Sequence, residues 1–206
     1  SNIDGKEHGF DYVDLGLPSG TMWATCNVGA NKPEDEGLLF QFGRVDGYKY
    51  GGYNKFRTNN QNKRDTGNEY TPLTTSGKLY DTDDILDLVD DAAHVNMGGK
   101  WMMPTNDQLK ELLDNTMHNA VTINGVKGMM FTSNINRNQL FIPFAGLYYN
   151  GSYYKSYIDV SMWSSQVLTS DINGAYRFFC NSSGFAGVLD CTYRSAAFSV
   201  RGVFKK

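Results

Sequence analysis

Apolar and polar residues alternate in two parts of the chain that lie near its opposite ends. Residues 10–15 read FDYVDL and stop at Gly16; after a turn at residues 18–20, the run TMWA at 21–24 resumes the pattern. Residues 198–203, FSVRGV, alternate again. Alternation predicts β-strands with one buried face, and the two ends of a domain commonly lie close together. We therefore expect paired terminal strands that close the fold.

The spacing becomes helical at residues 105–115, TNDQLKELLDN. Thr105 is suited to cap this helix, and Gln108 follows at the position that completes a capping box. Apolar residues three and four positions apart predict one inward face, which consists of Leu109, Leu112 and Leu113. This segment is the clearest helix in the sequence.

A hairpin and an interrupted strand follow that helix. The run at 121–123 is followed by Asn124-Gly125 and a second run from Val126. Asn-Gly between two such runs is the strongest local signal for a two-residue hairpin turn. Residues 140–146, LFIPFAG, are apolar but contain a proline, which predicts a strand broken at that position.

Residues 81–91, DTDDILDLVDD, combine six aspartates with four apolar residues. Carboxylates at this density can hold calcium, but the run lacks the spacing and the central glycine of an EF-hand loop. We therefore predict a helix whose aspartates face solvent and whose apolar residues face the core; these are Ile85, Leu86, Leu88 and Val89. Gly98 and Gly99 then fit a helix end after the helical run at 90–97.

Composition limits the class of protein. Of the 206 residues, 40% are hydrophobic and 20% charged, with a net charge of −3. These values suit one domain with a real core and exclude the composition of a disordered chain. Lysine and arginine are scattered, so we expect no nucleic-acid partner. No apolar run is long enough to cross a bilayer, and residues 1–9 lack the pattern of a signal peptide.

Turn residues are spread along the whole chain. Glycine is frequent and accompanied by asparagine-rich turns, which predicts a loop-rich α+β or all-β domain. Residues 48–78 are almost wholly polar and predict one long loop or insertion. With no internal repeat and no linker, we predict a single domain over residues 1–206.

The cysteines and histidines give little support to a metal site or a disulfide framework. The three cysteines are an odd number without a C-x-x-C pair, and the three histidines have no ligand spacing; the residues are Cys26, Cys180, Cys191, His8, His94 and His118. We predict small buried free thiols. The alternative is that Cys180 and Cys191 lie opposite each other in a hairpin and form a bridge.

The most unusual stretch is residues 147–165, LYYNGSYYKSYIDVSMWSS, in which five of positions 148–157 are tyrosine. It follows neither strand nor helix spacing cleanly. Tyrosine among serine, glycine and asparagine is typical of antibody-like recognition surfaces. Because tyrosine also favours strands, the alternative is a set of ordinary half-buried strand residues. Residues 172–197 again mix rings with small polar residues.

The order of several segments resembles a known family. The segments are YVDLGLPSGTMWATCNVGA (12–30), GLLFQFGR (37–44), DDAAHVNMGGKWMMPTNDQLKELL (90–113), GVKGMMFTS (125–133), LFIPFAG (140–146), MWSS (162–165) and FSVRGV (198–203). They resemble the Fibrobacter succinogenes major paralogous domain, a family abundant in gut Bacteroidetes and their viruses. The resemblance implies an α+β, C-type-lectin-like fold of the formylglycine-generating-enzyme branch, with small irregular antiparallel sheets, about two helices, long loops and paired terminal strands. Trp23, Trp101 and Trp163 then become core rings whose nitrogens need acceptors.

The same resemblance implies a sharper hypothesis. Some C-type-lectin-like proteins of this branch look like the variable proteins of diversity-generating retroelements, in which adenine mutation changes a C-terminal patch. Residues 189–197, LDCTYRSAA, contain only residue types that such mutation can produce from an asparagine-type codon. Lys155, Met162 and Trp163 would belong to the constant framework.

We therefore predict a non-catalytic ligand-recognition domain, with no cofactor and no metal, on a cell surface or a virion. Its partner would be a protein or a glycan, bound by region 147–197, without insertion into a membrane. The predicted ligand-binding residues are Tyr149, Asn150, Tyr153, Tyr154, Tyr157, Asp159, Tyr176, Arg177, Asn181, Asp190, Tyr193 and Arg194. We expect replacement of Tyr153 and Tyr154 by alanine to abolish binding and leave folding intact.

Two alternatives remain open. One is a structural domain of a surface lipoprotein or an adhesin. The other is an oxidase like the formylglycine-generating enzymes, in which Cys180 and Cys191 would bind copper as thiolates. Their spacing is wider than that of the cysteine pair in the family, which weighs against catalysis.

Overall fold

A computed structural model describes residues 3–49, 71–82, 84–149, 152–156 and 158–206. These residues form an α+β arrangement of short strands with few helices. The strands are β1 (Gly5–Glu7), β2 (Phe10–Val13), β3 (Thr21–Asn27), β4 (Leu39–Gln41), β5 (Thr116–Ile123), β6 (Val126–Ser133), β7 (Gln139–Pro143), β8 (Leu147–Tyr149), β9 (Ser152–Tyr154), β10 (Asp159–Trp163), β11 (Gly174–Asn181), β12 (Ala186–Tyr193), β13 (Ala197–Ser199) and β14 (Arg201–Lys205). The helices are α1 (Ala92–Met97), α2 (Asn106–Asp114) and a 3₁₀ turn (Leu88–Asp90).

Both ends of the chain enter one four-stranded sheet, in the order β1-β2-β3-β14. The last strand pairs antiparallel with β3, with Val203 opposite Trp23. The expected association of the ends is thus present, although β14 pairs with the third strand rather than the first. The run 198–203 is divided between β13 and β14, which lie in different sheets. All residues of these two strands except Lys205 are buried, and Gly202 in β14 packs against Met97 of α1 and against Trp101.

The largest sheet has the strand order β12-β11-β10-β13-β8-β9, and β4 also pairs with β13. Its strand pairs are antiparallel except for β10 and β13, which run parallel. This sheet brings the tyrosine-rich hairpin β8–β9 and the C-terminal hairpin β11–β12 into one structure. A third sheet, β5-β6-β7, contains the remaining strands.

The local turn and cap predictions are confirmed. Thr105 and Gln108 form the capping box at the start of α2. Asn124 and Gly125 have φ values of 48° and 80°, which are the positive values that a two-residue hairpin turn requires. Gly98, with φ of 75°, ends α1, because glycine has no Cβ to clash in the left-handed region.

The prediction of a helix over residues 81–91 is wrong: in the described part of this run only Leu88–Asp90 form a 3₁₀ turn, and Ile85 forms an isolated bridge with Gln166. Asp90 and Asp91 are buried, whereas Leu88 and Val89 are exposed. Asp90 accepts hydrogen bonds from the backbone and hydroxyl of Ser76, each at 2.7 Å, and from the Tyr80 hydroxyl at 2.6 Å. Buried carboxylates are stable only when such donors surround them. The tertiary donors therefore outweigh the local apolar pattern.

The three tryptophans are fully buried in two hydrophobic clusters, as predicted. The Trp101 indole nitrogen donates to the Glu7 carbonyl at 2.8 Å, and that of Trp163 donates to the Phe40 carbonyl. Trp23 Nε1 has no acceptor within the described residues. The expectation of a partner for each nitrogen is met for two of the three rings.

A buried arginine joins two of the sheets. Arg201 in β14 is fully buried and donates to Asn27 Oδ1 at 2.8 Å and to the carbonyls of Ala24 and Phe141 at 3.0 Å each. Ala24 belongs to β3 and Phe141 to β7, so the guanidinium links the four-stranded and three-stranded sheets. Burial lowers the pKa of Arg201 to about 10.

Most of the predicted loop at 48–78 lies outside the described residues. Its end is described, and Thr71 and Thr74 there are buried. Within the described ranges, none of the helices has the length and hydropathy needed to cross a membrane.

Candidate functional site

Two tyrosines that are distant in the sequence meet at the surface of the large sheet. The ring centroids of Tyr149 and Tyr193 lie 6.3 Å apart, with the ring planes at 34°. Tyr149 is the last residue of β8 and Tyr193 the last of β12. Strand β13 follows β12 closely in the chain and pairs Ala197 with Tyr148, which brings the two strand ends together. Tyr149 is 36% exposed and Tyr193 is 52% exposed, so both rings remain accessible.

Tyr154 extends the same exposed face. It lies opposite Leu147 in the β8–β9 hairpin, while Tyr149 lies opposite Ser152. Because residues two positions apart on a strand share a face, Tyr149 and Tyr154 point to the same side of the hairpin. Tyr154 is 53% exposed.

Tyr153 points to the other side and is half-buried. Its ring packs edge-to-face on Tyr148 at 5.5 Å, and its hydroxyl donates to Glu36 Oε1 at 2.7 Å. A ring held in this way contributes to folding. Tyr153 and Tyr154 were both expected to contact the ligand. In the structure only Tyr154 faces solvent, and Tyr153 is part of the scaffold.

An ion pair lies on the adjacent hairpin. Arg177 in β11 stands opposite Asp190 in β12, and its Nε donates to Asp190 Oδ2 at 2.6 Å, with a second bond from Nη2. The guanidinium also lies over the ring of Phe179 at 4.7 Å and near that of Phe198 at 5.8 Å. Aromatic faces attract cations, so the rings and the carboxylate together fix the direction of Arg177. Both charged side chains remain partly exposed.

Two exposed apolar residues near the β11–β12 hairpin were not among the residues predicted from the sequence. Phe185 is 63% exposed and packs on Phe179 at 5.7 Å. Ile158 is exposed, and its carbonyl accepts a hydrogen bond from the Ser182 backbone at 2.8 Å, which places it beside the β11–β12 turn. A shallow depression of about 360 Å³ lies between the tyrosine hairpin and the link from β9 to β10. It is lined by Leu147, Tyr154, Lys155, Ser156, Ile158 and Asp159.

The remaining predicted site residues divide into several groups. The Asn181 side chain accepts bonds from the backbones of Ser183 and Phe185, so it shapes the turn. Asp159 accepts a bond from the Ser156 hydroxyl at 2.7 Å at the edge of the depression. Tyr176 is half-buried in β11. Asn150 and Tyr157 lie outside the described residues.

Arg194 does not belong to the exposed group. Only 2% of it is exposed, and it donates to the carbonyls of Gly174 at 2.7 Å and Leu168 at 2.8 Å. Its guanidinium also lies 5.1 Å from the Phe42 ring centroid. The side chain holds the segment before β11 against the core, which explains why an arginine in a tyrosine-rich region can be interior.

The cysteines lie apart in the C-terminal hairpin. The hairpin predicted for Cys180 and Cys191 is present, but Cys180 lies opposite Ala186 and Cys191 opposite Tyr176. Cys26, Cys180 and Cys191 form no disulfide bond, and only Cys180 is buried, so the prediction of buried thiols is wrong for the partly exposed Cys26 and the exposed Cys191. Burial raises the pKa of Cys180 to about 11. The described residues contain no cluster of three or more metal-ligating side chains, so the register gives no support to a bridged or copper-binding cysteine pair.

The surface that these residues form offers exposed rings, an oriented ion pair and several hydroxyls. Groups of this kind bind ligands through apolar contact and hydrogen bonds. No protein-family model, no curated protein and no solved structure matches the chain.

Proposed function

We propose that the chain is a non-catalytic recognition domain whose ligand binds the face that carries Tyr149, Tyr154 and Tyr193. The observation that carries this proposal is the exposed Tyr149–Tyr193 pair, formed by two different hairpins of one sheet. Large rings left in solvent cost free energy unless a partner covers them, and clustered exposed apolar groups commonly mark binding sites. Tyrosine and arginine are enriched among residues that dominate binding energy.

The scaffold beneath this face lowers the entropic cost of binding. Tyr149 and Tyr193 end strands that share a sheet, and Arg177 is fixed by Asp190 and Phe179. Side chains that are already ordered lose less entropy when a ligand binds. The recognition face is therefore built from pre-oriented groups rather than from a loop alone.

The proposal extends to the fold family and the setting. The ordered segments that resemble the Fibrobacter succinogenes major paralogous domain, together with small sheets, two helices and both chain ends in one sheet, support a C-type-lectin-like fold. In that setting the ligand is a protein or a glycan, and the domain acts at a cell surface or on a virion.

Only part of residues 189–197, the segment predicted to be diversified by a retroelement, can tolerate such variation. Residues 190–193 are at least partly exposed, whereas residues 194–197 are buried. Substitution at buried positions disturbs core packing. If the segment is diversified, we propose that the variation is concentrated at 190–193, and sequencing of the neighbouring DNA for a reverse transcriptase and a template repeat tests this.

The binding proposal is tested with the double variant Tyr149→Ser/Tyr193→Ser on a glycan array and on intact gut bacterial cells. Binding should fall at least about tenfold, the equivalent of about 1.4 kcal/mol, without a change in melting temperature. Met117→Ser is the matched control, because Met117 in β5 is 59% exposed and belongs to a different sheet. Protease treatment of the cells separates a protein ligand from a glycan. Equal binding by the double variant and the native chain would exclude this face.

A further inference from the structure

Strand β5 forms a long outer edge of the three-stranded sheet. It pairs with β6 over its whole length, from Thr116 to Ile123, without a shift in register. Among the described strands, none pairs with its other side. The strand contains no proline, aspartate, glutamate, lysine or arginine. A long, regular and uncharged edge is a ready template for pairing with another strand.

The other sheet edges in the described ranges are short, irregular or covered. Strand β1 has three residues, two of them charged, and β9 also has three residues. The pairing of β12 with β11 contains a register shift, and β4 forms a bridge with Tyr48. Met102 exchanges two backbone hydrogen bonds with Val203 on the outer side of β14. On β7, the carbonyl of Phe141 accepts a bond from Arg201. Proteins protect their sheet edges in such ways, so the unprotected β5 indicates that a further strand covers it.

The backbone groups on the free side of β5 belong to alternate residues. Ile123 and Val126 flank the two-residue turn and face each other across the ladder, as the hydrogen-bonded pair that closes such a hairpin. Hydrogen-bonded and non-hydrogen-bonded pairs alternate along an antiparallel ladder. The N–H and C=O groups of His118, Ala120 and Thr122 therefore point away from β6. Ala120 and Thr122 are exposed, so a second strand can reach them.

Met117, Asn119 and Val121 lie on the face of this sheet that is turned away from the core. The alternate residues His118 and Ala120 lie opposite Phe131 and Met129, both of which belong to a buried cluster. Successive side chains of a strand point to opposite faces, which places the first three residues on the outer face. Met117 is 59% exposed, Asn119 is exposed and Val121 is half-buried.

This outer row of side chains is complementary to itself. A two-fold axis at Asn119 places Met117 of each copy beside Val121 of the other. The two Asn119 amides then face each other, and each can donate to and accept from its counterpart. The same register aligns His118 with Ala120 of the other copy, so that their outward backbone groups bond. Because β5 carries no charged side chain, the second copy brings no like charges together along the strand.

We propose that β5 is the contact between two copies of this chain, which pair antiparallel about a two-fold axis at Asn119 and join their three-stranded sheets into one continuous sheet. One strand and its neighbouring side chains bury an area at the low end of specific interfaces, about 1,200 Å² in total. We therefore expect a weak dimer that forms at micromolar concentrations. The contact lies on a different sheet from the exposed tyrosines and is independent of the ligand proposed there.

Sedimentation velocity of the whole chain, from low micromolar to millimolar concentration, measures the association. Asn119→Lys puts two like charges opposite each other at the axis and should weaken the dimer at least about fivefold. Gln139→Lys is the matched control, because Gln139 is exposed at the start of β7 in the same sheet and should dimerise like the native chain. Ala120→Pro is a second variant: it removes an outward N–H, and proline is tolerated at such edge positions. Melting temperatures show that each variant is folded.

A cysteine cross-link tests the register. Residues opposite each other in a non-hydrogen-bonded pair have Cα atoms about 4.5 Å apart, which is within the range of a disulfide. Asn119→Cys, made in a Cys191→Ser background to remove the exposed native thiol, should therefore form a covalent dimer under mild oxidation. Gln139→Cys in the same background should do so much more slowly.

Three results would each overturn the proposal. They are a native chain that stays monomeric at every concentration, Asn119→Lys and Ala120→Pro variants that associate like the native chain, and an Asn119→Cys variant that cross-links no faster than Gln139→Cys. A monomeric chain that instead adds an extended peptide along β5 would show that the occupant is not a second copy.

The dimer and the tyrosine face are tested separately. Tyr149→Ser/Tyr193→Ser should dimerise like the native chain. Met117→Ser, the control for the tyrosine face, removes an apolar contact from the dimer, and a dimer binds a multivalent surface with higher avidity. Repeating the ligand-binding comparison in the Asn119→Lys background, where the chains are monomeric, separates a loss of avidity from a loss of binding at the tyrosines.

Discussion

Tyr153 donates its hydroxyl hydrogen to Glu36 Oε1 over 2.7 Å, and this bond joins β9 to the loop between β3 and β4. The same carboxylate oxygen accepts a hydrogen bond from the backbone N–H of Gly146. Strand β9 is short and forms an edge of the large sheet. The bond therefore helps to hold the hairpin that presents Tyr149 and Tyr154.

The first prediction separates the two neighbouring tyrosines. Tyr153→Phe removes only the hydroxyl, and we expect a loss of about 1 kcal/mol in the free energy of unfolding, because one partly buried hydrogen bond is lost. Tyr154→Ser should change stability by less than about 0.5 kcal/mol, as is usual for exposed positions, but weaken ligand binding. Urea unfolding measures the first effect and cell binding the second. A loss of stability in Tyr154→Ser that exceeds the loss in Tyr153→Phe would contradict the assignment of the two faces.

The second prediction concerns the coupling between Arg177 and Asp190. A double-mutant cycle with Arg177→Ala and Asp190→Ala should give a coupling free energy of about 0.5–1 kcal/mol, because the pair is partly exposed and screened by water. The coupling should decrease in high salt. Lys110 and Asp114 on α2 form a matched exposed pair, for which about 0.3–0.5 kcal/mol is expected.

Arg177→Lys adds a second check on that pair. Lysine keeps the charge but loses the planar group that lies over Phe179. We expect it to recover only part of the stability lost in Arg177→Ala. Full recovery by lysine would mean that charge alone matters and that the ring contact contributes nothing.

The third prediction concerns thiol reactivity. Cys191 is exposed, whereas Cys180 is buried and its pKa is raised by burial to about 11. Thiolates are the reactive species, so maleimide should label Cys191 first in the native chain, Cys26 more slowly, and Cys180 only after unfolding. Peptide mass spectrometry in native buffer and in urea measures the three rates. Rapid native labelling of Cys180 would show that the hairpin opens locally.

Structural elements that depend only on residues close together in the sequence could be predicted from the sequence. The capping box of Thr105 and Gln108 needs only residues within one helical turn. The turn at Asn124 and Gly125 likewise depends on the positive φ values that these two residue types tolerate. Such signals do not require knowledge of the rest of the fold.

The tertiary part of the fold could not be predicted in the same way. Asp90 is buried because Ser76 and Tyr80 supply hydrogen-bond donors to its carboxylate. The sequence of the aspartate-rich run does not predict which residues these donors come from. Alternation shows that Tyr153 and Tyr154 face opposite sides, but the sheet order decides which side is solvent. Phe185, which directly precedes β12, was missed because a phenylalanine beside a strand usually indicates core packing.

The fourth prediction is a pH dependence at Asp91. This carboxylate is almost fully buried. It caps α1 by accepting a hydrogen bond from the backbone N–H of His94, and it also accepts hydrogen bonds from the backbone N–H of Met103. Burial, the largest cause, raises its pKa above the ordinary value of 3.8, although the backbone bonds partly oppose this. The folded chain therefore binds the proton more tightly than the unfolded chain. The contribution of Asp91 to the free energy of unfolding is therefore complete below pH 3.8, and it is lost as the pH rises through the raised pKa.

Asp91→Asn isolates that contribution, because asparagine can also cap a helix but does not titrate. The native free energy of unfolding, compared with that of Asp91→Asn, should decrease as pH rises from below 3.8 towards neutrality, with a slope of at most about 1.4 kcal/mol per pH unit. Urea unfolding at a series of pH values measures the difference, and Asp81→Asn controls for the loss of one exposed carboxylate. A difference that increases with pH would show that the hydrogen bonds from His94 and Met103 outweigh burial. In that case Asp91 stabilises the fold as an anion, and the junction between α1 and the chain at Met103 is strongest at neutral pH.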